Sequence, residues 1–459
     1  MLSALRSRVL RAVLGLLAIA GPLAGAAPAA GTAPAIGAAP RALARPAGIT
    51  VPAPPADVAE IRAVEMPVLQ QIDVPAAWRA SRGKGVIVAV LDTGADGSAP
   101  DLAGQVITGP DYAAGVDPPG YHLPRRHGTY IASLIAGHGR GPGDTMGVVG
   151  VAPDATILSV RVIPDDTEPG LAAYNQKPKY ADAIGQGIRY AVSHGAKVIN
   201  MSLSAQQPTA ALRAAIAYAI TRGVVVVASA GNSGTPSAFA PYLYPASFPG
   251  VIAVAAVNSA GARASFSQQN SSVIVAAPGV DVVGAGPDGQ YIAGDGTSPS
   301  AALVSGVAAL IRARYPGLAP SAVEQAIITT TSHRPAAAYS VDTGFGEVDA
   351  APALAAASVA AQDANGSGDA DGSNLSDGVP IPGLSMTASA GKRLARSLAP
   401  IGVTHRDEAH VVVYGLIATV AAVLAAIALA AMIVFTRRSW PRRAGLELAN
   451  MPPGDDLIS

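Results

Sequence analysis

Cysteine is absent from the chain. Disulfides, thiolate nucleophiles and cysteine-ligated zinc are thereby excluded, and any chemistry falls to other side chains. Charge is scarce as well: Asp, Glu, Lys and Arg make up 14% of the residues, and their signs balance to a formal net charge of zero. A nucleic-acid binder carries a basic surface, so no nucleic-acid partner is expected. Hydrophobic residues fill half of the 459 positions, but so unevenly that length alone overcounts the domains.

Both ends are specialised. Arg6, Arg8 and Arg11 precede an apolar run from Val13 to Ala20 and then small residues through Ala26, which reads as a secretory signal over residues 1–26. Residues 410–435 are almost unbroken aliphatic sequence, enough to cross a bilayer as one helix. Arg437, Arg438, Arg442 and Arg443 follow at once, so the positive-inside rule puts the tail, 436–459, in the cytoplasm and everything before the span outside. A cell-membrane location follows, with a single pass. Residues 27–65, rich in Ala, Pro and Gly, hold too few large side chains for a core and read as an extended arm. Residues 358–409 read as a flexible tether, which leaves a folded domain over 66–357.

Within that domain apolar runs recur at Val86 to Leu91, Ile157 to Val162, Val198 to Met201, Val224 to Ala228, Val251 to Ala256 and Val273 to Ala276. Each suits a strand buried on both faces. Helical patterns lie between several of them, at Tyr130 to Ala136, Tyr180 to Val192 and Ala210 to Thr221. The expected fold class is therefore α/β, a mostly parallel sheet with helices on both faces, plus one C-terminal transmembrane helix.

In such folds working residues gather beyond the carboxyl ends of the strands. Asp92 directly follows its strand, His127 opens a helix, Asn232 follows a strand within Ala230-Gly-Asn232, and Ser298 sits at a glycine-rich bend where the last long helix begins. A serine at that position can be a plain cap. It can also be a nucleophile once a base accepts its proton and a third group fixes the base. His127 suits the base, Asp92 the orienting group, and the amide of Asn232 a donor to an oxyanion. Other histidines lack this combination of helix start and motif: His138 and His194 are at helix ends, and His122, His333, His405 and His410 are in loop-like sequence. Asp96 and Asp101, in the turn after the strand, read as solvated or capping groups.

The chain order Asp, His, Ser is that of subtilisin. The segments Val88-Ala-Val-Leu-Asp-Thr-Gly94, His127-Gly-Thr-Tyr-Ile-Ala132, Gly150-Val-Ala-Pro153, Val198-Ile-Asn-Met-Ser-Leu203, Ala230-Gly-Asn232, Ala277-Pro-Gly279 and Gly296-Thr-Ser298 resemble those of the subtilisin-like serine proteases. The resemblance implies a subtilase fold and peptide-bond hydrolysis by Asp92, His127 and Ser298. It implies an oxyanion hole from the Asn232 side chain and the Ser298 N–H, and a substrate cleft bordered by Ser202, Leu203, Ser204, Ala228 and Gly231. No cofactor is expected; the resemblance leaves calcium open, since many subtilases bind it. Asp369-Ala-Asp-Gly-Ser-Asn374 lacks the glycine and terminal glutamate of a calcium loop.

Signal, Pro-rich arm, subtilase domain, tether, single span and short basic tail together resemble the mycosins, membrane-anchored subtilases of type VII secretion systems. That likeness implies a protein or peptide substrate and other membrane components of the apparatus as partners. Three features depart from the pattern. Pro299 follows the serine, with Ala302 where a proline is usual; Ser204 replaces a common glycine; and no disulfide can form. Proline at the first helical position is compatible with a helix start. The competing reading is a structural subunit of a secretion complex whose protease site is slow or inactive.

Overall fold

Val86 to Leu91 is apolar at every position, as a strand covered on both faces must be. In the computed structural model, which describes residues 49–50, 58–234 and 241–366, this run becomes β2 (Ile87–Asp92). The other strands are β1 (Ile49–Thr50), β3 (Val106–Asp111), β4 (His138–Arg140), β5 (Met146–Val149), β6 (Thr156–Arg161) and β7 (Val198–Met201). They continue with β8 (Val225–Ser229), β9 (Val251–Val257), β10 (Val275–Pro278), β11 (Val282–Ala285) and β12 (Tyr291–Gly294). The helices are α1 (Val58–Gln71), α2 (Val74–Ala77), α3 (Arg126–Ala136), α4 (Leu171–Gln176) and α5 (Ala183–Ser193). After them come α6 (Ala210–Thr221), α7 (Thr297–Arg314), α8 (Pro320–Thr329) and α9 (Ala350–Gly366).

Seven strands form one sheet in the order β10, β9, β8, β7, β2, β6, β3, with every pairing parallel. The chain first lays β3 and β6 on one side of β2 and then crosses to β7 on the other. The order therefore reverses at β2, whose last residue is Asp92. A reversal of this kind opens the crevice in which α/β sheets place their working groups.

Strand parity sorts the two faces. Ala89, Leu91, Ile199 and Met201 join Ile188 of α5 and Ile216 of α6 in one apolar cluster. Asn200, of opposite parity, accepts a hydrogen bond from Ser305 of α7 at 2.9 Å. Helix α7 is buried continuously from Thr297 to Arg312, which is why its sequence is apolar nearly all round. The edge strand β3 escaped the sequence reading because it has no apolar run. It is partly exposed, carries Gly109-Pro110 and shifts register between Thr108 and Asp111. Proline is tolerated there because an edge strand need not donate on its free side.

The boundaries of the domain differ from expectation at both ends. Helix α1 begins at Val58, inside the stretch read as an extended arm, and buries Ile61, Glu65 and Leu69 along one face. Pro67 within the helix and the Ala/Pro-rich residues before it hid the pattern. β1 also lies within that stretch and pairs with β12. Helix α9 runs to Gly366, past the expected tether start at 358, with Ala353, Leu354, Ala356 and Ala357 buried. Alanine-rich sequence favours helix wherever a neighbour covers one side. Among the described residues no helix is long and apolar enough to cross a membrane. The signal, the rest of the arm and tether, the span at 410–435 and the tail lie outside the described residues.

Asp101, expected as a solvated or capping turn residue, is wholly buried and accepts from Val148 N at 2.8 Å and from the Tyr291 hydroxyl. Close by, Glu65 Oε2 accepts from Val149 N at 2.8 Å. Arg62 completes this knot. Its Nε donates to Gly147 O at 2.9 Å and its Nη2 to the carbonyls of Asp144 and Met146 at 3.1 and 3.2 Å. Where these carbonyls converge, the cation is supplied by the chain itself, so this donor set does not fit a calcium ion. Arg62→Ala strands three acceptors and is expected to cost about 2 kcal/mol of stability. Arg62→Lys recovers only part, because an ammonium lacks the planar fork. Chemical denaturation of the full-length protein reads the effect; equal stability of the parent and the alanine variant would refute it.

Candidate active site

Asp92 ends β2 and is wholly buried. Its Oδ1 accepts from Thr93 N at 2.7 Å and lies 2.7 Å from Nδ1 of His127, the second residue of α3. With Nδ1 donating to a carboxylate, the neutral ring presents Nε2 as an acceptor. Helix α3 reaches this position because Gly128 carries no side chain. A Cβ there would stand 2.1 Å from the Gly94 carbonyl oxygen, and the Gly128 N–H instead donates to Thr93 Oγ1 at 3.0 Å.

His127 is 6% exposed. Burial works against the charged imidazolium, but the Asp92 carboxylate, with Asp165 and Asp166 adding to it, outweighs burial and raises the ring above its ordinary value.

Asp165 was not singled out in the sequence. Its Oδ2 accepts from the N–H groups of Arg126 and His127 at 3.1 and 3.3 Å. Asp165 N in turn donates to Glu168 Oε1 at 2.9 Å. Glu168 pairs with Arg161, which also holds Asp111 at 2.8 Å and Asp117 at 3.3 Å. Burial, with Asp117 adding to it, pushes the Glu168 carboxyl up to about 7. The only trace of this network in the sequence is the acidic string Pro164-Asp-Asp-Thr-Glu168 just after β6.

A second group of contacts surrounds Ser298. Helix α7 starts at Thr297, so Ser298 is its second residue and Pro299 its third, rather than the first expected for the proline. The ring still falls in the first turn, where N–H groups have no intrahelical acceptor. Thr297 N and Oγ1 both donate to Asn232 Oδ1, at 2.8 and 2.9 Å. Gly231 N donates to Thr297 Oγ1 at 3.0 Å. With its oxygen occupied, the half-buried Asn232 amide keeps Nδ2 without an acceptor among the described residues. Gly231 holds φ at 109°, and a Cβ on it would meet Leu243 Cδ1 at 2.2 Å, so no side chain fits there. The role of Thr297 as anchor for the amide was hidden in the Gly-Thr-Ser motif.

Ser298 Oγ donates to the Ser202 carbonyl at 3.3 Å, and Ser202 Oγ returns a bond to Ser298 O at 2.9 Å. Asn200 Nδ2 donates to Ser202 Oγ at 3.1 Å, which ties the brace to β7. Helices α3 and α7 pack directly against each other. Asp92 thus meets His127, and Asn232 meets Thr297 beside Ser298, but among the described residues no hydrogen bond joins His127 to the Ser298 hydroxyl. Of the residues expected along the cleft, Ala228 is wholly buried in β8, and Leu203 is buried with it in the core cluster. Ser202, Ser204 and Gly231 are buried too, and Ser202 acts on Ser298 itself. Among the described residues no group of three or more His, Asp or Glu side chains is placed to hold a metal. The sequence Asp369 to Asn374 lies outside them.

A parallel α/β sheet that presents Asp, His, Asn and Ser in this chain order is the architecture of subtilisin-like serine endopeptidases. Residues 83–366 match the Peptidase_S8 profile, that of the subtilase family, and the chain belongs to this family. It is 37% identical to subtilisin from Bacillus pumilus over 266 residues, 58% of this chain and 90% of that one. It is also 37% identical to thermitase from Thermoactinomyces vulgaris over 261 residues, 57% of this chain and 86% of thermitase. Longer relatives such as subtilisin E from Bacillus subtilis (strain 168) are spanned over 65% of their length. Among solved structures it is similar to MycP1 from Mycobacterium smegmatis, with a TM-score of 0.55 at 28% identity over 69% of this chain and 90% of that one. The MycP3 protease from the type VII (ESX-3) secretion system is similar with a TM-score of 0.53 at 29% identity, over 69% of this chain and 94% of MycP3.

Proposed function

We propose that this chain is a membrane-anchored endopeptidase that cleaves exported proteins outside the cytoplasmic membrane, with Ser298 as nucleophile, His127 as base and Asp92 as orienting group. The observation that carries the proposal is the buried 2.7 Å contact between Asp92 Oδ1 and His127 Nδ1. It leaves Nε2 as the ring's free acceptor, on a helix packed against the one that carries Ser298. For attack, the Ser298 hydroxyl turns from the Ser202 carbonyl to Nε2, the proton passes to the ring, and Oγ bonds to the scissile carbonyl carbon. Hydrogen bonds of this kind are often incomplete without substrate. The oxyanion is received by Asn232 Nδ2 and the Ser298 N–H, and the imidazolium then returns its proton to the leaving amine.

Asn232→Ala removes one oxyanion donor and is expected to raise the barrier by about 3 kcal/mol, a magnitude taken from the equivalent change in a subtilisin. The loss should appear in kcat with KM little changed, and a purified variant with full kcat would rule the role out.

The likeness to MycP1 and MycP3 supports a place beside a type VII secretion apparatus, with its membrane components as partners. The apolar stretch at 410–435 and the arginines after it support a single span with the C-terminus in the cytoplasm. The bond from Ser298 Oγ to Ser202 O favours a second reading, a structural subunit whose site is slow. Comparing the exported proteome of cells that carry the parent chain, Ser298→Ala or no protein separates the two. Cleaved peptides lost in Ser298→Ala support the peptidase; identical peptides, with secretion failing only when the chain is absent, support the subunit.

A further inference from the structure

We propose that Asp165 is a positioning residue for His127: seated on the first N–H groups of α3, it fixes where the imidazole stands and sets a second carboxylate behind it. The inference rests on the reading of His127 as the base.

The local sequence leaves α3 without a cap of its own. Arg125 occupies the capping position at φ 47° and makes no side-chain capping bond. The orphan donors at the helix start need an acceptor, and a carboxylate is favoured there by the helix dipole as well. Asp165, from the loop after β6, supplies it to Arg126 N and to His127 N, the backbone donor of the base itself. Asp165 is 5% exposed, so it forms part of the wall of the site and does not wave in solvent.

The residue is itself held. Its own N–H is bound by Glu168, and Glu168 is pinned by Arg161. Arg161 is the residue paired in register with Asp92 across β2 and β6. β2 and the loop after its neighbour β6 therefore each bring a carboxylate to His127, Asp92 to the ring and Asp165 to the backbone N–H. The charged groups that act on His127 are Asp92 from β2, and Asp165 and the exposed Asp166 from the loop after β6; Arg125 and Arg126 precede it at the start of α3. Glu168, Asp111, Asp117 and Arg161 stand behind Asp165. The direction of the shift at His127 agrees with the geometry, since Asp165 is among the groups that raise it.

The test is kcat/KM against pH for the full-length parent, Asp165→Asn and Asp165→Ala. Asparagine keeps an oxygen for both N–H groups but removes the charge, so the acid limb moves to lower pH while the plateau stays near the parent's. Alanine removes both, so the limb moves the same way and kcat falls on the order of tenfold at every pH. An acid limb in Asp165→Asn that coincides with the parent's overturns the proposal. So does an alanine variant that loses rate without moving the limb, which is the mark of a merely structural residue. Should Asp165→Ala fail to fold, the asparagine profile decides alone. Ser298→Ala is the control for the underlying reading: if it hydrolyses peptides at the parent's rate, that reading fails whatever Asp165 does.

Discussion

Ser298→Ala is expected to lower kcat about a millionfold, the loss found when the nucleophile of subtilisin is removed and carried over from that relative. The local geometry explains why the loss should be confined to chemistry. Ser298 is the second residue of α7, and the bond it receives from Ser202 Oγ goes to its backbone carbonyl, which alanine retains. Among the described residues the only bond forfeited is the 3.3 Å donation from Oγ to Ser202 O. A contact of that length contributes at most about 1 kcal/mol net, so the melting temperature should scarcely move. The residual rate should exceed the uncatalysed one, because Asn232 and the residue 298 N–H still receive an oxyanion formed by attacking water. Turnover of a peptide by parent and variant, with thermal unfolding alongside, checks both parts.

Asp92→Asn is the second large effect, about 10⁴-fold in kcat, a magnitude known from the corresponding change in a chymotrypsin-type triad. Asp92 Oδ1 serves both Thr93 N and His127 Nδ1. An NH₂ group in the place of Oδ1 faces the ring, and one in the place of Oδ2 is buried where the carboxylate oxygen has no partner among the described residues. Facing an NH₂ group, Nδ1 must become the acceptor and Nε2 carries the hydrogen, the wrong tautomer for taking a proton from serine. The variant also has a pH signature in stability. Because His127 sits above its ordinary value in the fold, the pair stabilises most below that ordinary value, and this share is lost as pH rises through the raised one. Asp92→Asn should therefore lose stability in mild acid and little in base, as thermal unfolding across pH would read.

The parts of this molecule that could be read from the sequence are those whose physics is local. A strand buried on both faces must be apolar throughout, so β2, β7, β8 and β9 stood out as runs. Motifs at their ends followed because Asp92, His127, Asn232 and Ser298 each sit at a strand end or helix start. What stayed hidden depends on distant partners. Helix α1 gains its place from Arg62 and Glu65 reaching β5 and the loop before it, contacts more than 80 positions away along the chain that no periodicity announces. Asp101 looks like any turn aspartate until Val148 and Tyr291 close over it. Asp165 caps a helix that begins 39 positions earlier. Leu203 and Ala228 were expected along the cleft from their motifs, but that both are buried in one apolar cluster depends on the helices packed beneath them.

The central claim, that Asp92, His127 and Ser298 act as one chemical unit, is tested most directly by mapping the adduct formed when the full-length protein meets a fluorophosphonate. Peptide mass spectrometry should find the phosphonyl group on Ser298, with the rate of labelling collapsing in Asp92→Asn and in His127→Ala. Labelling absent from Ser298, or proceeding at the parent's rate in both variants, would contradict it.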